Sequence, residues 1–162
     1  MLCADEQNQS LLTQTEGLLE ALVDLSLDEA LSDGCRANIA WAIGSVCNEN
    51  PAARRAIGDI VGAFAGLVMI ACTLNDEARE RAAFAIAEVS RDCPENQAGF
   101  GRTDGTLEAL VHLCATGSES GKEQVAACPP GHPARRRPAA RGPSLACPPP
   151  SLILPADRGA AA

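Results

Sequence analysis

Three segments of this chain are variants of one phrase: GLLEALVDL at Gly17–Leu25, GAFAGLVMI at Gly62–Ile70 and GTLEALVHL at Gly105–Leu113, spaced by 45 and 43 residues. A period of roughly 40–47 residues marks a helical repeat array, in which each unit buries its apolar face only against its neighbours. A second phrase recurs between the copies, NIAWAIGSVC at Asn38–Cys47 and RAAFAIAEVS at Arg81–Ser90. Arg36–Thr73 aligns on Arg79–Thr116 without a gap and agrees at 11 of 38 positions, including Pro51/Pro94 and Gly62/Gly105. Agreement at proline and glycine matters most, because those residues punctuate structure.

Within each copy the apolar spacing is helical. Ile39, Ile43 and Val46 share one face, with Asn38, Trp41, Ser45 and Asn48 on another. The next copy places Ala82, Ile86 and Val89 inside, and Arg81, Phe84, Glu88 and Arg91 on the second face. Ser32 or Asp33 is the expected cap of the first of these helices, Asn75 or Asp76 of the second. Both helices stop at similar breaks, NENP at Asn48–Pro51 and RDCP at Arg91–Pro94. Proline suits the first turn of a following short helix, where its missing N–H costs nothing. Asn50 is a good cap for that helix and Cys93 is not. The short helix is expected to run to Gly58 or Gly101, and the apolar helix from about Gly62 or Gly105 to Thr73 or Thr116. The predicted unit is a short helix, an apolar helix and a longer two-faced helix.

Charge divides the chain in two. Residues 1–128 hold 20 of the 21 acidic and 8 of the 13 basic side chains, whereas residues 129–162 hold five arginines, one acid and nine of the 11 prolines. So acidic a body repels phosphate backbones, which argues against nucleic-acid binding through it. The four aromatics, Trp41, Phe64, Phe84 and Phe100, leave Ala, Leu, Ile and Val to build the core, which suits closely packed helices. The longest uncharged run, Ile60–Asn75, is shorter than the ~18 residues that suggest a membrane span. The opening MLCADEQNQS has no apolar signal region. The eight cysteines lack any CxxC pair and the two histidines, His112 and His132, stand apart, so neither a zinc site nor a disulfide framework is expected. Reduced thiols point to a cytoplasmic or nuclear protein that is not secreted.

The repeated phrases resemble the armadillo repeat. That family places a glycine before its buried second helix, here Gly17, Gly62 and Gly105, follows it with an ALV-type core, and continues with a third helix of the form AxWALxNIA, here IAWAIGSVC and AAFAIAEVS. HEAT repeats share the period but have two helices per unit; tetratricopeptide and ankyrin units are too short. The resemblance covers about residues 5–128, as units 5–48, 51–91 and a shortened 94–128. GKEQVAAC at Gly121–Cys128 aligns with the opening of a third helix, and Pro129 and Pro130 forbid its continuation. Residues 129–162, low in complexity and rich in Pro and Arg, are expected to form a disordered tail.

What the resemblance implies is an all-α, right-handed α-α superhelix with no enzymatic activity, cofactor or metal. It would act as a scaffold or adaptor that binds a protein or an extended peptide along its third helices. The implied groove comprises Asn38, Trp41, Ser45, Asn48, Arg81, Phe84, Glu88 and Arg91. In importin alpha the third helix carries Trp and, four residues later, Asn, which grip an extended basic peptide; here Ser45 follows Trp41, and Phe84 and Glu88 replace both. A nuclear-import adaptor is therefore the alternative reading, and a regulatory module from a larger enzyme such as a ubiquitin ligase a second. Trp41 and Phe84 equally suit packing between neighbouring third helices, and an Arg91–Glu88 pair suits one helix face. The arginine cluster Arg135–Arg137 with Arg141 has the chemistry to attract RNA, anionic lipid or an import receptor. No GxSxG, Walker, HExxH or paired-carboxylate motif is present. The shortened last unit leaves Leu107, Leu110 and Val111 without a covering helix, so self-association there is expected.

Overall fold

The computed structural model of the protein describes residues 6–117 and 119–127; the Pro/Arg-rich segment and the proline stop at 129–130 lie outside the described residues. Among the described residues there are nine α-helices and no strand. They are α1 Glu6–Gln14, α2 Leu18–Ser26, α3 Asp33–Cys47, α4 Pro51–Asp59, α5 Ala63–Ala71, α6 Asp76–Ser90, α7 Pro94–Arg102, α8 Thr106–Thr116 and α9 Glu119–Ala127. Nine-, nine- and fifteen-residue helices follow one another twice, as α1–α3 and α4–α6. Then α7–α9 give nine, eleven and nine.

Local chemistry sets the boundaries. Ser32 and Asn75 cap the long helices α3 and α6, their side-chain oxygens accepting from the backbone N–H of Cys35 and Ala78. Pro51 and Pro94 open α4 and α7; Asn50 accepts from Ala53 N–H at the first, while Cys93 makes no side-chain cap at the second. Each short helix ends one residue past its glycine, at Asp59 and Arg102. The turn into each second helix is made by a glycine in the left-handed region, Gly17, Gly62 and Gly105, with φ of 77°, 92° and 86°. A residue with a Cβ is strained there, so glycine at this corner is required by the backbone itself. Glu49 and Asp92, at φ of 55° and 51°, hold the same left-handed corner after α3 and α6 without that freedom.

Each helix packs on its counterpart three elements along the chain: α1 on α4 on α7, α2 on α5 on α8, and α3 on α6 on α9, with α3 against α6 the most extensive contact. One apolar core runs through the stack, from Leu19 and Val23 through Ile43, Ile57, Leu67, Ile70 and Ile86 to Phe100 and Ala109. Small residues bring the helices together. A Cβ on Gly66 of α5 would lie 1.9 Å from Ser26 Oγ of α2, and one on Gly99 of α7 would lie 2.3 Å from the Phe64 ring of α5. Phe64 then meets Phe100 edge to face at 4.6 Å between centroids. The covering helix expected to be missing is partly supplied: α9 packs against α6 and α8, and Leu110 is half-buried, but Leu107 and Val111 remain exposed. No helix among the described residues is long and apolar enough to cross a membrane.

Candidate interaction surface

The eight residues singled out on α3 and α6 divide into an open cluster and a closed one. The open cluster lies toward the N-terminal halves of the two helices. Trp41 stacks on Phe84 with centroids 5.0 Å apart and planes inclined by 29°. The Arg81 guanidinium lies 5.7 Å from the Trp41 ring centre, donates to Asn38 Oδ1 at 2.7 Å and pairs with Glu77 Oε1 at 2.5 Å. Asn38 and Glu77 are exposed, Arg81 and Phe84 half-buried, and Trp41 keeps 39% of its surface open. This is an aromatic and cationic patch bridging two helices, with its parts already held in place by one another.

Gly44 makes the stack possible. A Cβ there would fall 2.6 Å from the Phe84 ring and 3.1 Å from the Ala85 Cα, so α6 lies against α3 only because position 44 has no side chain. Trp41 and Phe84 pack between the two long helices, and Trp41 combines that role with a partly exposed ring.

The closed cluster occupies the C-terminal halves. Ser45 and Glu88, placed by helical spacing on the second face and by the resemblance in the implied groove, are buried at 8% and 3% exposure. Their burial takes them out of that surface, and it has a physical cause. The short helices α1 and α4 run beneath the ends of α3 and α6 and carry polar side chains into them. Gln9 Nε2 donates to the Ser45 carbonyl at 3.1 Å. Arg54 Nε donates to the Cys47 carbonyl at 2.9 Å, its Nη1 to the Arg91 carbonyl at 3.3 Å, and its Nη2 stands 3.8 Å from Glu88 Oε2. Glu88 also takes Arg91 Nη2 at 2.6 Å and Nε at 3.2 Å, the helix-face pair expected from spacing. That hydrogen bond, with the carboxylate charge, raises the Arg91 guanidinium further above its ordinary range. Asn48, the residue that ends α3, and Arg91 are exposed at the margin.

Arg54 was invisible as a functional residue because a basic residue in a short polar helix reads as surface. A signal existed in the register. Applying the 45- and 43-residue spacings places Gln9, Arg54 and Gln97 at one position of their short helices. All three are long and polar, and each donates to a backbone carbonyl near the end of a long helix, Gln97 to Ser90 O at 3.0 Å. Those carbonyls lie in the last turn, where the helix offers them no i+4 N–H of its own. Asn96 extends the seam by donating to the carbonyls of Arg54 and Val89, both at 2.8 Å.

Burial pushes the Cys47 thiol up to about 12; the nearby Arg54 opposes this and Glu88 adds to it. A thiol held protonated is a poor nucleophile and a poor metal ligand. Cys35, Cys47, Cys93 and Cys114 are free thiols, and no cluster of His, Cys, Asp or Glu among the described residues is placed to hold a metal ion. His112, half-buried on α8, has its Nε2 2.9 Å from Arg79 Nη1. Since a guanidinium only donates, Nε2 is an acceptor here. Comparisons with protein-family models, with curated proteins and with solved structures return no match.

Proposed function

We propose that the chain is an armadillo-type, right-handed α-α superhelix that works as a non-catalytic scaffold or adaptor, binding a protein or extended peptide across its third helices. The observation that carries this reading is the patch of Asn38, Trp41, Arg81 and Phe84: a partly open indole, stacked and flanked by a cation, on a surface shared by two long helices. Trp and Arg are the residue types in which interface energy concentrates. Asn48 and Arg91 sit at the edge of the same surface. Ser45 and Glu88 do not belong to it, because both are buried under neighbouring helices.

The nuclear-import alternative draws less support. Its peptide-gripping asparagine would stand at Ser45 and Glu88; the first is buried and the second is committed to two arginines. Trp41 is the chain's only tryptophan, so its fluorescence reports on the patch directly. Extended peptides selected from a random display library against the whole chain should perturb that fluorescence. Trp41→Ala should weaken them by about 30-fold or more, the size of an interface hot spot, while Val61→Ala, on a fully exposed loop, should leave them unchanged. Peptides that bind Trp41→Ala as well as the parent would refute this assignment of the surface. A basic nuclear-localisation peptide tested in parallel separates the import reading from the general one.

A further inference from the structure

Two close approaches made by second helices help to seat one three-helix group on the next, Ser26 against Gly66 and Phe64 against Gly99. They define a trailing face on each second helix and a leading face on the group that follows. In register, the trailing residues are Leu19, Val23 and Ser26 on α2, Phe64, Val68 and Ala71 on α5, and Leu107, Val111 and Cys114 on α8. On α2 all three are buried, and on α5 Val68 and Ala71 are buried while Phe64 packs on Phe100. On α8 all three are exposed, Leu107 at 68% and Val111 at 67%. The same face has lost its cover.

The leading face shows the converse. Position 99, which meets Phe64, corresponds to Ala56 on α4 and Leu11 on α1; position 113 corresponds to Ile70 and Leu25. Ile70, Gly99 and Leu113 are buried and Ala56 half-buried, whereas Leu11 is 63% and Leu25 44% exposed. One chain therefore carries both an uncovered trailing face and an uncovered leading face. They lie at opposite ends of the stack and cannot meet each other in one molecule.

We propose that two copies of this chain associate head to tail, the α8 face of one receiving the α1–α2 face of the other, so that Leu107 meets Leu11 and Cys114 meets Ala21 in the register already used inside the chain. The occupant follows from continuity: the only group shown to fit a trailing face is a leading face of the same kind, and the only uncovered leading face among the described residues is that of α1 and α2. This contact is heterologous, so it does not close on itself and further copies add in line. Charge opposes it at a distance. Residues 5–48 carry eight acidic side chains and one basic, and residues 94–128 five acidic and two basic. Salt screens that repulsion and leaves the apolar contact intact, so association strengthens as salt rises.

Light scattering of the full chain across a concentration series, at about 0.05 and 0.5 M sodium chloride, tests this. Oligomers should grow with concentration and be larger at the higher salt. Leu11→Glu and Val111→Glu, each at an exposed position, should each be monomeric, and Leu25→Glu and Leu107→Glu should repeat that result. Mixing Leu11→Glu with Val111→Glu should restore a one-to-one dimer that grows no further, because one good face of each kind remains. Three results would overturn the proposal. They are a parent chain that stays monomeric at both salt concentrations, a Leu11→Glu variant that still dimerises through paired trailing faces, or a mixture that stays monomeric.

Discussion

The two halves of the α3–α6 seam are built from the same helical stripe and end in opposite environments. At the N-terminal half, Asn38, Trp41, Arg81 and Phe84 face outward and hold one another through a stacked ring pair, a cation over an indole and a hydrogen bond. At the C-terminal half, Ser45 and Glu88 are sealed beneath α1 and α4, and the polar contacts there reach backbone carbonyls and a buried ion pair. The difference comes from which neighbour lies over each half. The open half leaves the Trp41 ring partly exposed to solvent, and the closed half ties α1 and α4 to the ends of the long helices.

Substitutions in the closed half should have the largest effect on stability. Arg54→Ala removes the donor to two carbonyls and leaves Glu88 buried with one partner, so unfolding free energy should fall by about 3–5 kcal/mol in urea titration. A loss below about 1 kcal/mol would mean that the seam does not depend on it. Gly44→Ala sits between the halves. Its Cβ would force Phe84 and the α6 backbone away, costing about 1–3 kcal/mol and shifting Trp41 emission; unchanged emission would contradict the stacking. The Cys47 thiol gives a pH signature. Its proton is held more tightly in the folded chain, so this stabilisation is fully present below the ordinary value of 9.0 and is lost as pH rises toward about 12. Over that window the parent should lose stability relative to Cys47→Ser by at most about 1.4 kcal/mol per pH unit, and parallel curves would contradict the burial. Asn38→Ala in the open half should change stability by less than about 0.5 kcal/mol.

Much of this architecture was legible because punctuation is local. Ser32, Asn75, Asn50, the prolines at 51 and 94 and the three corner glycines each act on backbone within three residues of themselves, and each does what its chemistry predicts. The all-helical class followed from apolar spacing for the same reason. The burial of Ser45 and Glu88 was not legible from one helix. Helical period states which residues share a face, and leaves open which other helix covers part of it. Arg54 was missed in the same way, since its partners are 7 and 34–37 residues distant along the chain. Comparing register positions, Gln9 with Arg54 and Gln97, recovers what a single helix conceals. At Gly44 the 43-residue spacing aligns Ala87, and the approach of Phe84 and the Ala85 backbone explains why glycine is needed.

The stripe on α6 is half surface and half interior, and two charged residues on it allow a direct comparison. Arg81 and Glu88 lie seven residues apart on the same helix face, and each is ion-paired within that helix, to Glu77 and to Arg91. Helical position alone predicts equal effects on removing them. Their surroundings differ: Glu88 is buried with Arg54 across the seam, and Arg81 lies at a solvated edge. Equilibrium urea unfolding of Glu88→Ala and Arg81→Ala, measured side by side, is the decisive measurement. The expected loss is about 3–5 kcal/mol for Glu88→Ala and less than about 1 kcal/mol for Arg81→Ala; equal losses, or the larger loss at Arg81, would mean that the two halves of the stripe do not differ in burial.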